Sequence, residues 1–458
     1  MKIEKQKINL VFYYLIMVSI NFLFFTFSEK SPIFLYFLIT ESVFFQWIIP
    51  LTLLKNRLTD IFSPFILFLF LFQLFYLIHP IFITIYGPTL NISKDIFNTT
   101  FAIKMFFFIN IAVLSFYMGY LIKSSRDVSK KLPPELPTRW YLYGQILSIL
   151  FVLSGFLSFF LIIKSDPIYF FTHLGRRTFF ISGHGFLFLM SFFSPIGMIM
   201  FFYFSYLKNK KITFLTIVLT GFFLIVYLFE GSRGHVFVPI LVILMIYHYK
   251  IKKIRLRKIM FLSFFIFLLF FLFHVFRSYY IKKEYEKSMD IKLRGIITKM
   301  FYSTEQYVVI LTHPLDIRFY GRNYLHSVLI FVPKFIWKNK PNFSIVKFYN
   351  EYFFPKNKEF GITYNASLLG TSILNFGENL FFLEFILFGV LLKILYCKML
   401  RVSRIKFIGY SLLIVTLIFF SVSRNFASAI SMLTFFLLPF LIFVFVFQII
   451  IYLSSNEN

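Results

Sequence analysis

The chain has 458 residues, of which 59% are hydrophobic and 14% are charged, and its formal net charge is +28. A soluble protein of this length would carry far more charge, so the composition excludes a soluble globular fold. Apolar segments of about 20 residues recur throughout, and this is the length needed to cross a hydrocarbon core of about 30 Å. We therefore predict an all-α polytopic membrane protein, with residues 1–458 forming a single integral-membrane domain.

About twelve apolar segments are candidates for transmembrane helices. The first is longer than a signal-peptide core and lacks a small-x-small cleavage site, so we expect it to be retained as a helix. No internal repeat is visible, and nothing therefore favours the inverted-repeat architecture of many secondary transporters. The predicted spans are residues 8–27, 33–54, 61–86, 101–122, 141–163, 186–207, 212–229, 235–249, 260–277, 379–397, 405–422 and 427–453.

Lysine and arginine concentrate in alternate loops, and this asymmetry predicts the orientation of the chain. Cations mark the cytoplasmic side, so we expect both termini in the cytoplasm. Much of the net charge then faces anionic headgroups of membrane lipids, and nucleic acid is not an expected partner. The cation-rich loops are residues 2–7, 55–57, 123–139, 208–211, 250–258 and 398–406.

The segment 279–366 lies between the ninth and tenth predicted spans, which places it as one large extracytoplasmic loop. Residues 294–311 have apolar positions at helical spacing and predict an interfacial helix. Residues 324–337 are apolar but contain Pro333, so we predict a short, broken element on the membrane surface. A loop of this length without signs of disorder is usually functional.

Arginines outside the predicted spans are the first candidate site residues. A guanidinium matches phosphate oxygens with a fixed fork of donors and stays charged at neutral pH. We predict that arginines from separate outward loops converge on a diphosphate at the bilayer surface. The alternative that stays open is that each arginine snorkels to the interface and does nothing else. The candidates are Arg233, which lies in a turn with two glycines, and Arg424, Arg176, Arg177 and Arg322.

The long loop also offers candidates for a general base. His313 titrates near neutral pH when its environment does not perturb it, and Glu305 is the second choice. Three rare charges within the predicted spans should face the interior of the bundle, where a buried polar contact is their expected role. These are Glu41, Glu384 and Lys393. The one cysteine and the absence of ligand spacing in the sequence predict neither a disulfide, a metal nor a cofactor.

Several stretches together resemble the bacterial oligosaccharide repeat-unit polymerases, the Wzy-type polymerases of O-antigen and capsule assembly. They are the Gly-Ser-Arg-Gly turn at 231–234, the segment Gly-Arg-Asn-Tyr at 321–324 running into VPKFIWKNKPNFS at 332–344, ITYNASLLGTSILNFG at 362–377, and Ser-Arg-Asn at 423–425. The predicted topology, with one large late loop, is similar to that family over nearly the whole chain.

The resemblance implies a membrane glycosyltransferase on the outer face of the bacterial cytoplasmic (inner) membrane. A hydroxyl of one undecaprenyl-diphosphate-linked oligosaccharide would attack the anomeric carbon of another, and undecaprenyl diphosphate would leave. Arg233 and Arg424, with Arg176, Arg177 and Arg322 next, would then stabilise the diphosphate, and His313 or Glu305 would act as the base. A chain-length regulator and a flippase are the implied protein partners.

Two other classes stay open on the sequence. An O-antigen ligase would share the donor chemistry and the large late loop, so the sequence separates it poorly from a polymerase. A polysaccharide flippase or exporter would be non-enzymatic, and the length of the loop 279–366 argues against it.

The orientation can be tested by accessibility labelling in a Cys397→Ser background. Cysteines introduced at Ser288 and Asn357 should react with a membrane-impermeant maleimide in intact cells, because both positions lie in the predicted outward loop. A cysteine at Lys253, in a predicted cytoplasmic loop, is the matched control and should react after permeabilisation alone. The reverse pattern would invert the topology.

Overall fold

The structure is a computed structural model. It describes residues 31–55, 59–87, 98–122, 138–163, 184–209, 211–229, 233–256, 303–312, 318–329, 343–355, 364–402 and 404–456, with a few isolated positions elsewhere.

Every regular element within those ranges is helical. In chain order the helices are α1 (Pro32–Lys55), α2 (Pro64–Tyr86), α3 (Thr99–Ile122), α4 (Thr138–Ile163), α5 (Gly185–Asn209), α6 (Phe214–Phe229), α7 (Arg233–Ile246), α8 (Ser303–Thr312), α9 (Arg322–Leu329), α10 (Ile345–Phe353), α11 (Leu368–Phe376), α12 (Phe382–Arg401), α13 (Arg404–Ser423) and α14 (Phe426–Asn456).

Eight helices in the described part of the chain are long and apolar enough to cross a membrane, so the chain is an all-helical polytopic membrane protein. They correspond to eight of the predicted spans. Two further predicted spans are helical but fall outside this set: α6 has 16 residues, and α12 carries Glu384, Lys393 and further cations near its end. The predicted spans 8–27 and 260–277 lie outside the described residues, apart from isolated positions. The total of twelve therefore stays a prediction.

Three short helices, α8, α9 and α10, occupy the predicted outward loop. Helix α8 overlaps the interfacial helix predicted at 294–311, although it begins at Ser303 in the described residues. Helix α9 is described from Arg322 to Leu329, within the element predicted at 324–337, and Pro333 lies outside the described residues. The sidedness of this segment stays a prediction.

Contacts divide the chain into two compact units. Unit 1 comprises residues 1–128, 293–400 and 417–431, and unit 2 comprises residues 129–292, 401–416 and 432–458. Unit 1 contains α1–α3 and α8–α12, together with the turn that joins α13 to α14.

Helix α3 packs against both α2 and α12 in unit 1. Its Phe116 ring stacks on Phe68 of α2 with centroids 3.9 Å apart. Gly119 meets α12 backbone to backbone, because a Cβ built there would lie 2.0 Å from the Ile386 carbonyl oxygen. Gly389 on α12 returns the contact, with its Cβ position 2.5 Å from the Phe116 carbonyl. In a membrane the hydrophobic effect does not drive helices together, so their association depends on close van der Waals packing. Small residues such as glycine allow the two backbones to approach this closely.

Glycine also sets the packing of unit 2. A Cβ at Gly155 of α4 would lie 2.4 Å from the Ser194 nitrogen of α5, so these two helices pack closely. Tyr227 of α6 is fully buried and donates a 2.8 Å hydrogen bond to the Ser191 carbonyl. The buried core around it consists of Phe156, Met198, Phe223, Tyr227 and Val236.

Of the three rare charges in predicted spans, Glu41 and Glu384 are buried, as predicted, and Lys393 is half-buried. Glu41 of α1 is 4% exposed and accepts a 2.9 Å hydrogen bond from Asn110 Nδ2 of α3. Lys393 of α12 places its ammonium 4.8 Å from the centroid of the Tyr120 ring. The third, Glu384, belongs to the polar cluster described below.

Three of the described membrane helices contain a π-helical turn: Phe44–Ile48 in α1, Leu74–Ile78 in α2, and Tyr247–Ile251, which continues α7. Such a turn inserts one residue into the helix, and π-turns recur at functional sites. In α2 the buried Tyr76 lies within the turn, and its hydroxyl accepts a 3.0 Å hydrogen bond from the Leu368 N–H. The first residue of α11 is thereby tied to α2.

The close contact between α3 and α12 predicts that adding one methyl group at Gly119 destabilises the protein. Gly119→Ala should lower the melting temperature of the detergent-solubilised protein, since the added Cβ meets a backbone carbonyl and overpacking costs about 1–3 kcal/mol. Gly221→Ala on α6 is the control, because its Cβ would find no atom within 4 Å. Equal melting temperatures for the two variants would contradict the close approach.

Candidate functional site

The candidate site lies in unit 1 and begins at the carboxyl end of α11. The last carbonyls of a helix lack partners within it and must be satisfied from outside. Here the chain segment before α9 supplies them: the Phe319 N–H donates to the Leu374 carbonyl at 3.0 Å, and the Tyr320 N–H donates to the Asn375 carbonyl at 3.1 Å. Gly321 adds a 3.2 Å bond to the Asn375 side-chain oxygen.

This capping arrangement requires a particular backbone. Tyr320 has φ +47° and Gly321 has φ +78°, so the segment turns sharply and delivers the start of α9 to the end of α11. Gly377, with φ +76°, ends α11, and its Cβ position lies 3.0 Å from Arg318 Nε. A cation at the carboxyl end of a helix is favourable because the helix dipole is negative there.

Tyr324 on the first turn of α9 is the centre of the site. Its hydroxyl accepts a 2.8 Å hydrogen bond from Asn375 Nδ2, which lies 51 residues later in the chain. Its ring meets Phe426, the first residue of α14, edge to face with centroids 5.6 Å apart. Tyr324 therefore links α9, α11 and the turn between α13 and α14.

A buried carboxylate completes this group. Glu384 lies in the first turn of α12, is 7% exposed, and is faced by the hydroxyls of Tyr324 and Ser372. Neither carboxylate oxygen has a partner within ordinary hydrogen-bond geometry among the described residues. A negative charge suits the amino end of a helix, yet a buried carboxylate without hydrogen bonds is costly. We call Tyr324, Ser372, Asn375, Glu384 and Phe426 the Tyr324 cluster.

The surroundings affect the ionisation of Tyr324. Desolvation of the hydroxyl raises the pKa of Tyr324 well above its ordinary value of 10.0, and the negative charge of Glu384 raises it further. The hydroxyl consequently keeps its proton at neutral pH.

Two of the predicted arginines lie next to the Tyr324 cluster in sequence. Arg322 is exposed on α9, two residues before Tyr324, and its guanidinium carbon is 5.6 Å from the Phe343 ring centroid. Arg424 lies two residues before Phe426, with its guanidinium carbon 5.3 Å from the Phe420 ring centroid. The turn that carries Arg424 is fixed by its neighbour Asn425, whose side-chain oxygen accepts a 2.7 Å bond from the Ser428 N–H.

The side chains of the other predicted site residues lie outside the described part of the chain. Arg233 begins α7 in unit 2, and Glu305 lies in α8 in unit 1, but the side chains of both lie outside the described residues. Arg176, Arg177 and His313 lie outside them altogether. Convergence of all five arginines and the role of either base therefore stay predictions.

Sequence reasoning missed Tyr324 and Asn375 as site residues. Tyrosine and asparagine are abundant in this chain, and neither stands out among its neighbours. Their importance comes from a contact between distant segments. Glu384 was visible as an acid in an apolar helix, and the same reasoning correctly placed it in the interior without finding its partners.

A second set of hydrogen bonds fixes the segment that leads into α11. Asn350 of α10 donates through Nδ2 to the carbonyls of Val346 and Tyr364, both at 2.7 Å. Its oxygen accepts the Tyr364 N–H, also at 2.7 Å. Ser367 then caps α11 by accepting the Gly370 N–H at 3.1 Å. The Asn350 side chain thus satisfies both backbone polar groups of Tyr364.

No protein-family model, curated protein or solved structure matches this chain. The class that the fold defines is an all-helical polytopic membrane protein.

Asn350→Ala should release the segment 354–367 from α10. Three hydrogen bonds disappear and two backbone groups of Tyr364 lose their partner, which costs about 1–3 kcal/mol for each group that stays buried. Limited proteolysis of the purified protein should cut this segment faster in the variant. Asn365→Ala is the control, since Asn365 neighbours Tyr364 but makes none of these bonds. Equal cutting of both variants would remove Asn350 from this role.

Proposed function

We propose that the chain is a membrane glycosyltransferase that polymerises undecaprenyl-diphosphate-linked oligosaccharide repeat units into O-antigen or capsular polysaccharide. The observation that carries the proposal is a convergence. Three of the stretches that resemble the repeat-unit polymerases, at 321–324, 362–377 and 423–425, contribute side chains to the Tyr324 cluster or directly precede one. The three stretches are far apart in sequence. A shared site would explain why all three resemble the polymerases.

The reaction makes clear demands on such a site. A hydroxyl of the acceptor sugar attacks the anomeric carbon of the donor, a new glycosidic C–O bond forms, and the bond from that carbon to the diphosphate oxygen breaks. Negative charge grows on the departing diphosphate, and fixed positive groups lower the barrier by stabilising it. The acceptor hydroxyl must also lose its proton.

Arg424 and Arg322 are suited to the diphosphate. Each guanidinium lies near an aromatic ring, which restricts its orientation through a cation–π contact. Stacking uses the flat face of a guanidinium, whereas phosphate oxygens bind at its N–H edge, so the two contacts are compatible. Arg233, Arg176 and Arg177 are proposed as further ligands, as the resemblance implies.

The membrane helices suit a lipid-linked substrate. Undecaprenyl diphosphate keeps its tail in the hydrocarbon and its charged head at the surface, so a site for it should combine apolar spans with polar groups near helix ends. The Tyr324 cluster is built from the ends of α9, α11, α12 and α14. For the proton of the acceptor, the sequence proposes His313 first and Glu305 second.

Arg424→Ala tests the proposal directly. With purified lipid-linked repeat units in liposomes, the wild type should produce a ladder of glycan lengths, and the variant should slow it on the order of a hundred-fold because one stabilising donor is lost. Arg424→Lys should restore part of the rate, since it keeps the charge and loses the bidentate fork. Arg401→Ala, at the exposed end of α12, is the control and should polymerise normally.

The same assay separates the competing classes. A wild type that moves lipid-linked units across the bilayer without lengthening them would be a flippase. A wild type that transfers finished glycan to a second acceptor without lengthening it would be a ligase. Either result would refute the polymerase, and a normal ladder from Arg424→Ala would remove Arg424 from the site.

A further inference from the structure

In the Tyr324 cluster the Tyr324 hydroxyl faces the Glu384 carboxylate, and neither carboxylate oxygen makes a hydrogen bond of ordinary geometry among the described residues. A tyrosine hydroxyl has one donor and two acceptor positions. Asn375 Nδ2 fills one acceptor position of Tyr324, and the hydroxyl faces the carboxylate of Glu384, which can take its proton. One acceptor position remains on a side chain that is partly exposed, while Glu384 behind it is 7% exposed.

We propose that Tyr324 and Glu384 act as a dyad that removes the proton from the acceptor hydroxyl, in place of His313 or Glu305. This inference rests on the proposed polymerase function and assigns the base at the same site. Tyr324 touches the sugar hydroxyl, and Glu384 acts through Tyr324 by accepting its proton.

The proton transfer balances as a relay. As the acceptor oxygen bonds to the anomeric carbon, its proton moves to Tyr324 Oη, and the Tyr324 proton moves to a carboxylate oxygen of Glu384. The electron pair of the broken bond leaves with the diphosphate. Tyr324 ends the step neutral and Glu384 ends it protonated, so no phenolate is formed. Release of that proton to water resets the dyad.

The position of Tyr324 close to the segment that carries Arg424 supports the assignment of the base to this dyad. Phe426 contacts the ring of Tyr324 and lies two residues after Arg424, so the dyad and an arginine for the leaving group are held by adjoining segments. Asn375 fixes the Tyr324 hydroxyl from the side, and the capping bonds from Phe319 and Tyr320 fix Asn375. A general base is effective when its geometry is fixed in advance, and here the Tyr324 side chain is held by Asn375 of α11 and Phe426 of α14.

The test uses Tyr324→Phe, which keeps the ring against Phe426 and removes the hydroxyl, and Glu384→Gln, which keeps the shape and removes the proton acceptor. In the liposome assay each should lower kcat by at least about a hundred-fold with the KM for lipid-linked donor unchanged. Glu384→Asp should recover part of kcat. Because the two residues work as one unit, the double variant should be no slower than the slower single variant.

Matched controls come from α10, where Glu351→Gln and Tyr352→Phe change an exposed acid and an exposed tyrosine and should leave kcat unaltered. Protein level and melting temperature are measured for every variant. If Tyr324→Phe does not accumulate in the membrane, the kcat and KM of Glu384→Gln decide the matter.

The outcomes separate the two claims. A wild type that makes no polymer refutes the proposed function. An active wild type with active Tyr324→Phe or Glu384→Gln refutes the dyad and leaves the polymerase intact. Losses that multiply in the double variant, or a loss that appears in KM alone, also refute the dyad. If His313→Ala lowers kcat a hundred-fold while both dyad variants keep a normal kcat, His313 is the base and the dyad is refuted.

Discussion

The capping of α11 by the segment before α9 is the interaction on which the candidate site depends. The N–H groups of Phe319 and Tyr320 satisfy carbonyls that the helix cannot satisfy itself, and an uncapped end would leave these groups without partners in an apolar surrounding. Because these bonds join backbone to backbone, they fix the start of α9 to the end of α11. Tyr324 and Asn375 then meet as a consequence of the cap.

Close helix packing provides the rigid base for this arrangement. The backbone approach of α3 and α12 at Gly119 and Gly389 holds the helix that carries Glu384. Phenylalanine fills the remaining space, as in the stack of Phe68 on Phe116, so an aromatic-rich composition is compatible with tight packing. A carboxylate on such a helix has little freedom to move toward another partner.

The sequence predicted the all-helical membrane class correctly because membrane spans depend on a local property. A run of about 20 apolar residues must form a helix in lipid wherever it occurs, and eight predicted spans correspond to helices of that kind. It predicted less for α12, where Glu384 and Lys393 lower the apolar character that defines a span. Glu384 was nevertheless correctly assigned to the interior, since the cost of exposing a charge to lipid depends on the residue itself.

The sequence pointed to some residues of the candidate site and missed others, because it reveals local features more readily than contacts between distant segments. Arg322 and Arg424 attract notice by their charge alone, whereas Tyr324 and Asn375 matter through a hydrogen bond across 51 positions. No periodicity or spacing within one segment encodes such a pair. The stretches at 321–324 and 362–377 were identified separately, and the three-dimensional fold was needed to show that the residues just before the first stretch cap the helix in the second.

The π-helical turn in α2 has a consequence for how this protein can vary. Its extra residue rotates everything that follows by about 100° relative to an uninterrupted α-helix, and it sets the direction of Tyr76 toward Leu368. The beginning of α11 is therefore anchored by a local change of helical register, and its end by the cap. A homologue that lost this one residue would turn Tyr76 away, and it could keep α11 in place by compensating elsewhere. A one-residue gap near position 76 would thus mark lineages that hold this helix by different means.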